Sequence, residues 1–133
     1  MKKLLAVLLV AAMVFCFAAC GAPEEPKDDQ PANDAPKAMT YAEFTAAALE
    51  SEVIVETYIQ AKQGWWEKDG VGVATFYTQN EEGAYFLYEM PCSKDEYDAK
   101  LVKGAKIRVK GYKAEWSGEV EIIDATYEIL EGQ

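Results

Sequence analysis

The pattern of apolar and polar positions divides the chain into three textures. Residues 4–17 form an unbroken apolar run, residues 21–39 offer almost nothing to bury, and short alternating runs begin after Thr40. Thr40-x-x-Glu43 has the form of a capping box. It opens a predicted helix to about Leu49, with Tyr41, Phe44 and Ala48 at helical spacing. Glu52 to Ala61 alternates as a strand, placing Val53, Val55, Thr57 and Ile59 on one face. Lys68-Asp69-Gly70 reads as a turn, and Val71 to Thr78 as a second strand. Asn80-Glu81-Glu82-Gly83 is a hairpin loop, after which Ala84 to Met90 returns as a third strand. Ser93-Lys94-Asp95-Glu96 repeats the capping-box form and predicts a helix to about Leu101, stopped by Gly104. Ala105 to Tyr112 makes a fourth strand. Glu119 to Leu130 makes a fifth, in which the doubled Ile122-Ile123 predicts a bulge.

The predicted fold class is therefore mainly β. Five short strands, a helix between strands 3 and 4 and a short N-terminal helix are the elements of an OB-fold-like barrel. Closure suits a domain of about 94 residues, because it removes free sheet edges around a single core. An open antiparallel sheet carrying the helix on one face is the alternative. Several runs add a family resemblance: Tyr58 to Gln63 with Trp65-Trp66, Gly83 to Tyr88, Lys110 to Glu119, and Asp124 to Tyr127. Together, from Tyr41 to Leu130, they resemble small bacterial OB-fold lipoproteins, exported proteins often labelled nucleic-acid binders. The resemblance implies the fold and export. Its ligand label rests on fold analogy alone.

The leading segment supports export independently. Lys2 and Lys3 supply a positive start, and Leu4 to Phe17 is an uncharged run of 14 residues, short for a membrane span but suited to a signal peptide. Phe17-Ala18-Ala19-Cys20 resembles the lipobox of bacterial lipoprotein signals, which implies cleavage before Cys20 and acylation of its sulfur by chains such as palmitate. Two or more acyl chains suffice for stable membrane residence. Residues 21–39 hold four of the five prolines and five acids, and read as an extended tether between anchor and domain. The expected location is thus the extracytoplasmic face of a membrane. Cys92 is then the one thiol left in the exported chain, without a partner for an internal disulfide. Beside Pro91 it reads as a small buried hydrophobe.

Charge and composition narrow the function. The chain carries 13 basic and 23 acidic residues, a net charge of −10, and no histidine. Histidine-dependent triads are excluded, together with the usual neutral-pH proton shuttle. No phosphate-binding glycine loop or metal-ligand spacing is present, so no enzyme activity, cofactor or metal is expected. The acidity argues against nucleic acid, whose binding needs clustered Lys and Arg. One segment departs from it: Lys94 to Lys113 holds seven of the nine basic residues after Thr40. Lys106, Arg108 and Lys110 share a face of the fourth strand there, either as a binding stripe or paired across strands with Glu119 and Glu121. Tyr77, Tyr85, Trp65, Trp66 and Trp116 are the candidate stacking residues. For the strand aromatics a core role stands beside a binding one, and alternation does not say which face is outside. The expected function is a membrane-anchored, non-enzymatic binding module for an envelope protein or an oligosaccharide, with single-stranded nucleic acid as the alternative ligand. Anchoring is checked by fractionation: Cys20→Ser is expected to move the protein from membranes to the soluble fraction, and unchanged partitioning contradicts a lipid anchor.

Overall fold

A computed structural model describes residues 36–131, which belong to the compact unit Pro36–Gln133. The signal segment, Cys20 and tether residues 21–35 lie outside the described residues. Helix α1 (Tyr41–Ala46) is followed by strands β1 (Glu52–Lys62), β2 (Trp66–Lys68), β3 (Val71–Gln79) and β4 (Ala84–Pro91). Helix α2 (Lys94–Ala99) then leads into β5 (Lys106–Trp116) and β6 (Glu119–Glu131). There are thus six strands where the sequence predicts five. Trp66–Lys68 pairs with Val71–Val73 through the Asp69-Gly70 turn, so the second helix falls between the fourth and fifth strands. Both residues of that turn have positive φ (51° and 80°), the backbone form that suits a two-residue hairpin.

The sheet runs β1-β5-β6-β4-β3-β2, and β1 pairs with β3 as well, which closes the five long strands into a ring. Strand β1 achieves this by serving two neighbours. Glu52 to Tyr58 pairs with β5, and Tyr58 to Lys62 pairs with β3, with a register break at Gln60. The contact between β4 and β6 is parallel and short, Leu87 opposite Ile122. All other pairings are antiparallel.

Alternation sends one side chain in two into the ring. Val53, Val55, Thr57 and Ile59 are fully buried, as the pattern predicts, and meet Phe76, Leu87, Ile107, Val109 and Ile122. Two bulges then correct the predicted parity. In β4 an extra residue at Tyr88-Glu89 faces Thr75, and Glu89 adopts φ 46° while its N–H donates to Thr75 Oγ1 at 3.1 Å. Met90, which strict alternation along Ala84 to Met90 would put on one face with Phe86 and Tyr88, therefore turns inward and is fully buried. In β6 the irregularity lies at Asp124-Ala125, opposite Gly111, and not at Ile122-Ile123. Gly111 is what admits it, since a Cβ there would stand 2.7 Å from the Ile123 carbonyl oxygen.

The helices seal the ring's margins. Thr40 and Glu43 form the expected reciprocal cap of α1, whose Phe44 packs edge-on against Tyr85 at 5.0 Å. The helix ends at Ala46, earlier than Leu49. Its carbonyls at Phe44, Thr45 and Ala47 accept hydrogen bonds from the buried Lys113 ammonium, so no further helical turn is needed to satisfy them. Helix α2 has only half of its predicted box: Ser93 accepts from the Glu96 N–H, but the Glu96 carboxylate accepts from Tyr127 Oη instead of reaching back. Contact with the core starts one residue before the predicted domain boundary, as the Met39 N–H donates to the Ile54 carbonyl at 2.7 Å.

Removing the Lys113 ammonium would strand three carbonyls at a partly buried helix end. Lys113→Met is expected to lower unfolding stability by about 2–3 kcal/mol in urea titration; a loss under about 0.5 kcal/mol would show that water replaces the cap.

Candidate ligand-binding face

With the interior filled, several of the aromatics left outside form a row on one side of the ring, while Tyr58 and Tyr112 are exposed elsewhere, in separate clefts. Tyr77 of β3 stands opposite Phe86 of β4 in register, ring centroids 5.1 Å apart, and Tyr88 follows Phe86 at 6.4 Å. Tyr77 and Tyr88 are exposed. Gln63, from the connection after β1, donates through Nε2 to Tyr77 Oη at 2.7 Å and fixes the end of the row. At the other end Trp116 closes β5 against the tight Ser117-Gly118 turn. It is the most exposed large apolar side chain among the described residues, at 74%. Trp116, Tyr88 and Glu121 enclose a cleft of about 220 Å³. Tyr88 and Glu121 also border a wider cleft of about 510 Å³, lined further by Lys68, Val71, Glu89 and Asp124.

The electrostatics of this face are acidic. Lys68 is engaged by Glu89 in an ion pair. Partial burial raises the Glu121 carboxyl above its ordinary value, and the charges of Glu119 and Glu89 push it the same way. The Tyr88 phenol is raised as well, first by the charge of Glu89 and then by burial. A negative ligand group would meet repulsion from the Glu121 carboxylate, which borders both clefts.

The structure separates the sequence-predicted residues. Tyr77 and Trp116 lie on the aromatic face, and Trp66 projects from β2 with nearly half its surface exposed. Trp65 points the opposite way. Its Nε1 donates to the Cys92 carbonyl at 3.0 Å, and its ring covers Gly72 so closely that a Cβ there would clash at 2.3 Å. Tyr85 is withdrawn from any ligand, 2% exposed and packed against Phe44 and Tyr41. This corrects its place among the candidates; it fills the ring beneath α1.

The basic stripe is not brought to this aromatic row; Lys106 instead lies over the ring of Tyr58, 5.8 Å from its centroid. Arg108 donates to Glu56 at 2.7 Å and to Glu128 at 3.3 Å, Lys106 lies 3.5 Å from Glu56, and Lys110 lies 3.5 Å from Glu52. The pairing partners are on β1 and the far end of β6, not Glu119 and Glu121, because Arg108 is in register with Glu56 and Glu128. The Arg108 guanidinium holds the Glu56 carboxyl below its usual range. Cys92 is buried, and desolvation pushes its thiol up to about 11, which keeps it protonated and inert near neutral pH.

Glu121 and Glu89 were not among the candidates. Phe86 and Tyr88 share one parity of β4, but their outward direction follows only from Leu87 turning in. The Asn80-Glu81-Glu82 loop is occupied with its own backbone: Asn80 Oδ1 accepts from the N–H groups of Glu82 and Gly83. Among the described residues no cluster could hold a metal ion, and no helix is long and apolar enough to cross a membrane.

A scan against family models and a search of curated proteins return no match. Solved structures share the fold. One is a murine DNA-binding protein bound to double-stranded DNA, matched at TM-score 0.54 and 10% identity over 74% of this chain. Another is the HINb domain of p204, at TM-score 0.51 and 10% identity over 73%. The chain spans about half of each, 51% and 49% of their lengths. At this identity the likeness concerns the fold alone.

Proposed function

We propose that the domain is a non-enzymatic binding module of the OB-fold class, with the ring as its five-stranded barrel and β2 as an added hairpin arm. The ring order, with the parallel contact between β4 and β6, and the likeness to the two solved structures support this reading. Folds of this class take oligonucleotides and oligosaccharides across their second and third long strands, between the loop after the first strand and the loop joining the last two. In this chain those elements are β3, β4, the Gln63–Trp66 connection and the β5–β6 hairpin. The aromatic row from Tyr77 to Trp116 occupies that position, and it is the observation that carries the proposal. Cys20 would hold the module by lipid on the extracytoplasmic face of a membrane, with the proline-rich segment as spacer.

The ligand is an extended envelope component, an oligosaccharide or a protein segment, that lies along the row without bringing phosphates to Glu89 and Glu121. Single-stranded nucleic acid is the second reading, and the likeness to a DNA-bound protein supports it better than it supports the first. The acidic face and the ion-paired stripe oppose it, since phosphate binding relies on free Lys and Arg. Binding measurements separate the two. Oligothymidine is expected to show no saturable binding at about 50 mM salt, whereas envelope oligosaccharides or peptides bind and lose tenfold or more affinity in Trp116→Ala. Saturable oligothymidine binding that weakens with salt would replace the first reading by the second.

A further inference from the structure

The narrow cleft at the hairpin end of the face differs from the open row beside it. Its two walls are aromatic, Tyr88 from β4 and Trp116 from the tip of β5, and its third side is the carboxylate of Glu121. At about 220 Å³ it suits one side-chain head group; a stacked base or a run of sugar rings needs more room. Glu121 is the unusual member. It is partly buried, both charges acting on it are negative, and its neighbour Glu89 is already engaged by Lys68. Among the described residues no cation pairs with Glu121, and a carboxylate partly withdrawn from water without a cation is an unbalanced charge. Aromatic ring faces attract cations through their quadrupole, and most strongly when the cation is desolvated. Two ring walls and one uncompensated carboxylate therefore share a single complement, a positively charged head group.

We propose that the Tyr88–Trp116–Glu121 cleft is a subsite for a lysine or arginine side chain of a basic, extended protein segment. This deepens the binding-module reading and rests on it, choosing a protein segment over an oligosaccharide. The alkyl stem of the guest would lie against Trp116 while its head group replaces the missing counter-charge of Glu121. The next residues of the segment would run along Tyr88, Phe86 and Tyr77. In the wider cleft, where Lys68 already holds Glu89, Asp124 would meet a second basic residue on the same side. The ordering is set by the fold: Trp116 stands opposite Glu119 beside the β5–β6 turn, and Glu121, opposite Ala114, is its diagonal neighbour two residues further along β6.

Isothermal titration of the folded domain with a blocked five-residue lysine peptide tests this, with a glutamine peptide of the same length, neutral oligosaccharides and oligothymidine as comparisons. The lysine peptide is expected to bind, with affinity reduced tenfold or more by Glu121→Gln and by Trp116→Ala. Glu81→Gln removes the same charge from the Asn80 loop, far from the cleft, and is expected to leave affinity within twofold. An equal loss in Glu81→Gln would reduce the effect to overall acidity and overturn the subsite. Preference for oligosaccharide over the lysine peptide, lost in Trp116→Ala, would overturn the subsite and leave the binding module standing. Preference for oligothymidine would overturn both the subsite and the envelope ligand. Circular dichroism on each variant keeps loss of binding distinct from loss of fold.

Discussion

The structure depends on one strand having two partners. Because β1 pairs with β5 along its first half and β3 along its second, the sheet has an inside and an outside rather than two faces and two edges. Everything else follows from that closure. Side chains inside must fill a fixed volume, which is why Phe76, Tyr85 and Met90 are consumed by the core. Aromatics of the opposite parity have nowhere to go but out. A five-stranded ring also bends its strands sharply, and the bends appear as register breaks at Gln60, Tyr88-Glu89 and Asp124.

Those bends connect the fold to the site. Glu89 and Asp124 are acidic residues held at φ 46° and 49°, a region few non-glycine residues enter, Asp more readily than Glu. Both border the wider cleft beside Tyr88. The backbone irregularities that close the ring thus also deliver two carboxylates to the rim of the aromatic face. On the opposite side the charges cancel: Glu52, Glu56 and Glu128 engage Lys110, Lys106 and Arg108, and Lys113 is buried as a helix cap. The clefts beside the aromatics thus keep Glu121 and Asp124 without an ion-pair partner among the described residues, and the segment rich in Lys and Arg has little positive charge to offer a ligand.

Much of this was legible in the sequence, for local reasons. The Thr40 cap, the β1 alternation, the Asp69-Gly70 turn and the inert Cys92 are each set by a few adjacent residues. What escaped depends on distant ones. Nothing in Tyr88-Glu89-Met90 marks a bulge, because the residue that accommodates it is Thr75 on another strand. Trp65 and Trp66 look alike in sequence, but the bare backbone of Gly72 and the Cys92 carbonyl choose which one is packed down. The end of α1 is decided by Lys113, 66 residues beyond the last carbonyl it holds. The β1–β3 closure is another such long-range choice, and the same five strands could have been drawn as an open sheet.

Closure is therefore the claim to test first, and amide hydrogen exchange measured by NMR does so directly. In the ring the Gln63 N–H donates to the Thr75 carbonyl at 2.9 Å, part of the seam that joins Tyr58–Lys62 to Phe76–Gln79. The account predicts that the seam amides, Gln63 included, exchange as slowly as those pairing β5 with β6, opening only with the whole domain. Exchange several orders of magnitude faster along that seam than between β5 and β6 would mean an open sheet, and would remove the inside–outside division on which the aromatic face rests.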